Sequence, residues 1–521
     1  MAKPRGDGGL VDVPMGEDEA HGVARAVAGG APLEVEEVLT AIGEGYTLRA
    51  GPFQRRLLLF MGLFLWTGLA FHLMSLVFIL DPTNVDSAAV HFHMTPVQIG
   101  LIGSAIFLGW AGGAPLWTWL ADRNGRRKVM FGAILVAELL NVVACVAPSF
   151  PVYAFMFLCM GACTGGGGAV VYCMLVELSP PALRGPVTSL LNFFWVYASI
   201  LIACVAWAVP HWQVLQLICS LPGFAALAFY RWVPESPRYL AVVGRTDEAM
   251  AVLRRIAADN GRPMPAGELK KPSASGPTGN PLDLLAPSIR VWSLALFFCW
   301  GAASMVYYGL SFQAGDMGGD VHANAIMLAL VEAPSYLAVM WGVERLGRRL
   351  SMIVCFAEAG VCLLVIFLGA QDGFKTAMAV GGKFGISAAF VVVYVYAGEL
   401  FPTSVRAVGL GACNIASRLG SVISPVVVRA LPPTTASLIF GLVGVTAAGL
   451  TFLLPETKGR KTTDYVVTAS ARGEGVGGAG GVELLAAGDG EDAAVDMRPI
   501  GELNGLDHGG GDGDGDGDEG G

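Results

Sequence analysis

The chain has 521 residues, of which 54% are hydrophobic and 14% charged, against about 45–50% and about 25% in a soluble domain. One or two aqueous cores cannot hide that much apolar surface, so a bilayer is the expected solvent. The net charge of −9 says little about partners, because Asp512, Asp514, Asp516, Asp518 and Glu519 alternate with glycine in the tail; with no basic face or reading motif, nucleic-acid binding is excluded.

Residues 1–56 lack the apolar core of a cleavable signal peptide, and Asp7, Glu17, Asp18 and Glu19 do not suit a transit peptide. Within them Val35, Val38, Leu39 and Ile42 fall at i, i+3, i+4 and i+7, which predicts a short amphipathic cytoplasmic helix. Twelve apolar runs follow, each near the roughly 20 residues a crossing helix needs: 57–80, 96–120, 129–147, 152–176, 187–209, 213–231, 291–313, 324–343, 350–369, 375–398, 405–430 and 434–454. They predict an all-α membrane protein of two six-helix bundles, 57–231 and 291–454, joined by a linker over 232–290. That linker reads as a helix from Thr246 to Ala258 and a flexible Pro/Gly/Ser stretch from Pro263 to Pro281; the acidic Gly-rich tail 455–521 reads as disordered. Arginines gather in the turns after the second and eighth runs and in the linker, whereas 81–95, 148–151, 210–212 and 314–323 contain no Lys or Arg. Both termini are therefore expected in the cytoplasm. All ten cysteines lie inside apolar runs, so no extracellular disulfide framework is expected.

Three charged turns recur at almost one spacing. LADRNGRRK (120–128) answers VERLGRRLS (343–351), with Asp122 and Glu344, Gly125 and Gly347, Arg126 and Arg348, and Arg127 and Arg349 each 222 apart. Glu177 and Arg184 of ELSPPALRG answer Glu399 and Arg406 of ELFPTSVRA at the same offset, and Glu235 of VPESPR answers Glu456 of LPETKG at 221. Two similar halves with a solute path where they meet is the architecture this implies.

These turns resemble those of the major facilitator superfamily, whose cytoplasmic loops carry D-R-x-G-R-R, E-x-x-P-x-x-x-R and P-E-S-P-R in this order. GELFPTSVRAVGLGACNIASRLGSVISP (398–425) and LVEAPSYL (330–337) resemble the organic cation, anion and carnitine transporters. EEVLTAIGEG (36–45), RRIAADNGRPMP (254–265) and VYYGLSF (306–312) are similar to the synaptic vesicle two-related branch. The resemblance covers about residues 33–462 and implies a carrier in the plasma membrane or an intracellular vesicle membrane. The chain departs from these relatives at Thr118, where the motif's leading glycine would stand. It departs again in a first span without an acid, whose polar members are Thr67, His72 and Ser75, and at Leu158, in a fourth span without an early Arg. Both missing groups often serve proton coupling in relatives, which points to uniport or exchange over proton symport.

Asp122, Arg123, Arg126, Arg127, Glu177, Arg184, Glu235, Arg238, Glu344, Arg348, Arg349, Glu399, Arg406 and Glu456, with the turn glycines Gly125 and Gly347, are the expected gate; a carboxylate there can meet a helix N-terminus or an Arg across the cleft. Ionisable groups at membrane depth need a partner, a wet cavity or a function. Lys383, with space beside it from Gly381, Gly382 and Gly385, is expected to attract a substrate carboxylate or to pair internally. Glu332, two residues before Pro334, is expected to meet an ammonium group or Arg418, and His72 either to be hydrogen-bonded between helices or to be a proton or solute site. Glu138 and Glu358, on peripheral helices, are expected to be structural. Trp300, Tyr307, Tyr308, Tyr172, Tyr394 and Tyr396 are candidate pocket aromatics, and the GGGG at 165–168 reads as a close helix contact.

The function these features support is alternating-access transport of a small organic ion or zwitterion, with an exchanged ion or coupling proton as further partner. Alternatives are a sugar or phosphate proton symporter of the same fold, and a non-transporting receptor or vesicle-resident interaction protein. No nucleophile–base pair, metal-ligand cluster or nucleotide loop stands out, so neither an enzyme nor a cofactor is expected.

Overall fold

The computed structural model describes residues 33–43, 51–270, 280–369 and 372–459. The tail beyond 459, and 271–279 of the predicted flexible stretch, lie outside the described residues. Among the described residues ten helices are long and apolar enough to cross a membrane. Arg126–Ala144 supplies the third span, and the two pieces of Trp212–Leu227, meeting at Ser220, the sixth. The remaining spans, in order, are Pro52–Ile79 (first), Pro96–Asn124 (second), Phe150–Glu177 (fourth), Pro181–Ala208 (fifth), Arg290–Phe312 (seventh), Val321–Leu346 (eighth), Arg348–Phe367 (ninth), Asp372–Leu400 (tenth), Arg406–Ala430 (eleventh) and Pro433–Thr451 (twelfth). Below, "inner" denotes the face carrying the charged turns.

Several helices begin up to six residues before the apolar runs, because Pro at the first turn fits the helix and needs no partner for its missing N–H. Pro52 and Pro181 are such starts, and Pro96 opens the second span on the first residue of its run. Thr95 completes one cap: its hydroxyl accepts from the Gln98 N–H while the Gln98 side chain accepts from the Thr95 N–H. The first span is not a uniform helix. Met61–Trp66 is a π turn, Thr67 Oγ1 donates to the Gly62 carbonyl at 2.9 Å, and a further turn at Ser75 separates Thr67–Met74 from Leu76–Ile79.

Glycines let the second and fourth spans touch backbone to backbone. A Cβ at Gly109 would stand 2.0 Å from the Leu158 carbonyl oxygen, and one at Gly113 2.0 Å from that of Ala162. The GGGG run serves the same contact: Gly165 and Gly166 lie beneath the rings of Trp110 and Trp117. On the inner face the amphipathic stripe of Val35–Gly43 is buried with Leu253 and Ile256 of Thr246–Asn260. The linker returns to Leu33, whose N–H donates to Glu268 O and whose carbonyl accepts from the Lys270 N–H, both at 2.8 Å.

The halves meet mainly toward the outer face. Gly100 and Gly103 of the second span pack on Val426 and Pro425 of the eleventh, Ser104 Oγ donates to Val422 O at 2.5 Å, and His322 stacks on Phe78 and Trp207. Near the midplane Trp195 Nε1 donates to Tyr307 OH at 2.7 Å. Among the described residues no hydrogen bond or ion pair joins the halves at the charged inner turns.

Candidate functional site: a charged midplane between two gated halves

Glu332 and Lys383 each lie eleven residues from the outer end of their spans, Val321 and Asp372, about 16 Å deep at the rise of a helix. They form one cluster. Lys383 Nζ stands 3.0 Å from Glu332 Oε1, donates to Ser311 Oγ at 2.7 Å and lies 3.2 Å from the centre of the Tyr307 ring. Glu332 accepts from Tyr307 OH at 2.8 Å and from Tyr336 OH at 2.9 Å. Both charged side chains are almost fully buried, and a small cavity bounded by Met74, Phe78, Ser199 and Leu328 adjoins them. A buried charge is tolerated when paired and hydrogen-bonded, and every partner needed is present.

The expected Glu332–Arg418 contact does not form. The eighth span packs on the tenth and fifth, whereas the eleventh packs on the seventh and second, so the two groups lie on different sides of the C-terminal half. Arg418 instead lies over the Trp110 ring at 4.1 Å. Around it are Tyr308, against Phe107 at 4.5 Å, and, toward the inner face, Tyr394, whose ring meets Trp300 at 4.2 Å. Tyr394 and Tyr172 are nearly half exposed although both sit in spans. Among the described residues Arg418 has no carboxylate within ion-pair distance. Tyr396 donates instead to the Pro455 carbonyl at the inner end. His72 belongs to neither group: its Nε2 is 3.1 Å from Glu138 Oε2 of the third span, inside the N-terminal half. Glu358 lies against Gly385, where a Cβ would stand 1.9 Å from its Oε2.

The residues expected to form the gate assemble twice in one pattern. Gly125 (φ +96°) and Gly347 (φ +87°) adopt a backbone that side chains avoid, and a Cβ on either would stand 2.5 Å from Glu235 Oε2 or Glu456 Oε2. The absent side chain makes room for a carboxylate at the start of the next helix. Glu235 accepts from the Arg127 N–H at 3.0 Å; Glu456 accepts from those of Arg348 and Arg349 at 2.9 and 3.0 Å. Burial alone would raise the Glu456 carboxyl; the N–H groups of Lys458, Arg348, Arg349 and Thr457 outweigh it and hold the group below its usual range. Arg126 pairs with Glu177 at 3.2 Å, and Arg348 with Glu399 at 3.0 Å. Asp122 and Glu344 meet Arg126 and Arg348 one turn away in their own half, at 2.9 and 3.6 Å, and are mostly exposed. Arg184 and Arg238 share Glu36 of the N-terminal helix. Arg406 donates to Phe401 O, Arg123 lies over Trp119, and Arg349 donates to Phe452 O.

Sequence reasoning did not single out Tyr336, Ser311, Trp110, Phe107 or Trp195. Tyr336 and Ser311 carry a usable signal, each being four residues, one helical turn, beyond Glu332 and Tyr307.

Two helical bundles with matched inner turns, closed toward one face around a charged midplane, define a secondary transporter of the major facilitator fold. Residues 56–467 match the family described as Sugar (and other) transporter. A solute carrier family 22 member 15-like protein of Xenopus laevis is 31% identical over 402 residues, 74% of this chain and 82% of the relative. Solute carrier family 22 member 3 of Rattus norvegicus is 33% identical over 73% of this chain and 72% of its own. The xylose transporter XylE from E. coli in its inward-open conformation superposes with a TM-score of 0.63 at 16% identity, covering 78% of this chain and 98% of that one. The chain belongs to the sugar (and other) transporter family, on its solute carrier family 22 branch, and is a membrane transporter of organic solutes.

Proposed function

We propose that the protein carries small organic anions by alternating access, with Arg418 receiving the carboxylate. The supporting observation is the charge balance at the midplane. Lys383 is neutralised by Glu332, while Arg418 carries a charge that no carboxylate among the described residues offsets. Guanidinium binds carboxylate through two parallel hydrogen bonds, and the rings of Trp110, Tyr308 and Tyr394 offer faces to a flat solute body. A neutral sugar leaves the guanidinium charge unbalanced, and inorganic phosphate, which can pair with it, leaves the aromatic faces uncovered.

Both termini and the linker lie in the cytoplasm, and the membrane is the plasma membrane or a vesicle membrane. With the outer half shut, the solute meets Arg418 from the cytoplasmic side, past Tyr172 and Tyr394. Asp122 and Glu344 are the exposed acids of the inner turns, and they exchange their local arginines for partners across the cleft when that side closes. The remaining pairs hold each half rigid as it rocks.

Thermal-shift measurements on the full chain in nanodiscs test the reading with phthalate, benzoate, tetraethylammonium and glucose. The carboxylates stabilise the parent, by about 2.7 kcal/mol at a hundredfold excess over Kd, and Arg418→Gln abolishes the shift. Stabilisation by tetraethylammonium or glucose alone, or a carboxylate shift that survives Arg418→Gln, refutes it.

A further inference from the structure

We propose that His72 and Glu138 form a proton-binding site inside the N-terminal half, apart from the midplane cluster. His72 Nε2 lies 3.2 Å from Glu138 Oε1 and 3.1 Å from Oε2, and the two side chains are 2% and 4% exposed. The Nε2–H of a neutral imidazole donates across such a contact and leaves the carboxylate charged, while the open Nδ1 accepts one proton more. With it the pair is neutral overall. Without it a carboxylate faces a neutral imidazole in an apolar site, which is costly until water arrives.

The groups around the pair offer no replacement for that proton. Its cavity is lined from the first span by Phe64, Leu65, Gly68 and Leu69, from the third by Ile134 and Ala137, from the fourth by Cys163, Thr164, Gly167, Gly168 and Val171, and from the sixth by Gly223. Cys163 is the one further ionisable group in that lining, and Cys219 of the sixth span lies beside Glu138. The fifth span, which also packs on His72's segment, has no charged side chain beyond Arg184 near its inner end. No Lys or Arg lines the cavity.

Three further observations suit loading and unloading. His72 Nδ1 is buried without a hydrogen-bond partner. The cavity runs from the pair toward the inner face, ending near Phe64 and Val171, in the direction from which water would enter. The segment bearing His72 lies between the π turn at Met61–Trp66 and the break at Ser75, so it can shift against the third span. Gly223 completes the fit, since a Cβ there would stand 1.9 Å from Glu138 Oε1.

Proton counting tests this without any solute. The full chain in nanodiscs is taken from pH 8.5 to 5 beside a pH dye, with His72→Gln, Glu138→Gln and the double variant. Glu138→Gln takes up one proton fewer than the parent, because its imidazole has no carboxylate to balance a charge, and the double variant also loses one, because the pair acts as a unit. Undiminished uptake in Glu138→Gln or in the double variant, or a loss of two in the double, overturns the proposal. The parent alone gives a second reading: in nitrogen-15 histidine spectra the buried imidazole changes protonation over this range, and an unchanging signal overturns the proposal even if the variants fail to fold.

Discussion

Replacing Lys383 with Met removes the one cation beside Glu332 and leaves that carboxylate with only the hydroxyls of Tyr307 and Tyr336. At 3.0 Å and an effective dielectric of about 20, the attraction lost is about 5.5 kcal/mol; relaxation and proton uptake reduce this to the roughly 3–5 kcal/mol typical of breaking a buried pair from one side. Glu332→Met strands the ammonium in the same way and has a similar cost. The double Met variant has no buried charge and similar volume, so it recovers most of the loss. Equilibrium unfolding in mixed detergent micelles measures all four proteins, and a coupling energy of at least about 2 kcal/mol is expected. Additive losses, with the double variant the least stable, refute the idea that each charge is present chiefly to balance the other.

Gly125→Ala and Gly347→Ala each force a side chain into a positive-φ turn and against a capping carboxylate; each lowers unfolding free energy by roughly 1–3 kcal/mol, and the matching geometry makes the two losses similar. Asp122→Asn leaves membrane insertion and melting nearly unchanged but slows uptake of phthalate into sealed vesicles, since the acid it removes is exposed in this state. Because the folded protein holds Glu456 below the usual carboxylate range, its contribution to stability is complete above the unfolded value and fades as pH falls through the folded one. Melting scans under acidic conditions therefore show a shallower acid limb for Glu456→Gln than for the parent.

The duplicated architecture was legible because its evidence is local: the charged turns repeat at 222 residues, and Gly125 and Gly347 occupy the one place in each turn where only glycine fits. The GGGG run was legible for the same reason, as small residues mark close helices. Partner choice among buried charges was not. Glu332 and Lys383 meet because the eighth and tenth spans are neighbours and both groups sit eleven residues from the outer end. His72 finds Glu138 across a contact that no sequence spacing encodes. Hydropathy also missed the short polar starts of the third and fifth spans, where Arg126 and Arg184 belong to the helix but not to its apolar run.

Distances between spin labels at two pairs of helix tips test alternating access most directly. In a Cys204→Ser background, one pair is Val97 with Leu431 at the outer ends of the second and eleventh spans, and the other is Asn124 with Leu346 at the inner ends of the second and eighth. Without solute the outer pair is close and the inner pair apart; saturating phthalate moves part of the population to the opposite arrangement, one distance growing as the other shrinks. Two distances that stay fixed, or that change in the same sense, contradict a carrier whose halves rock about Arg418.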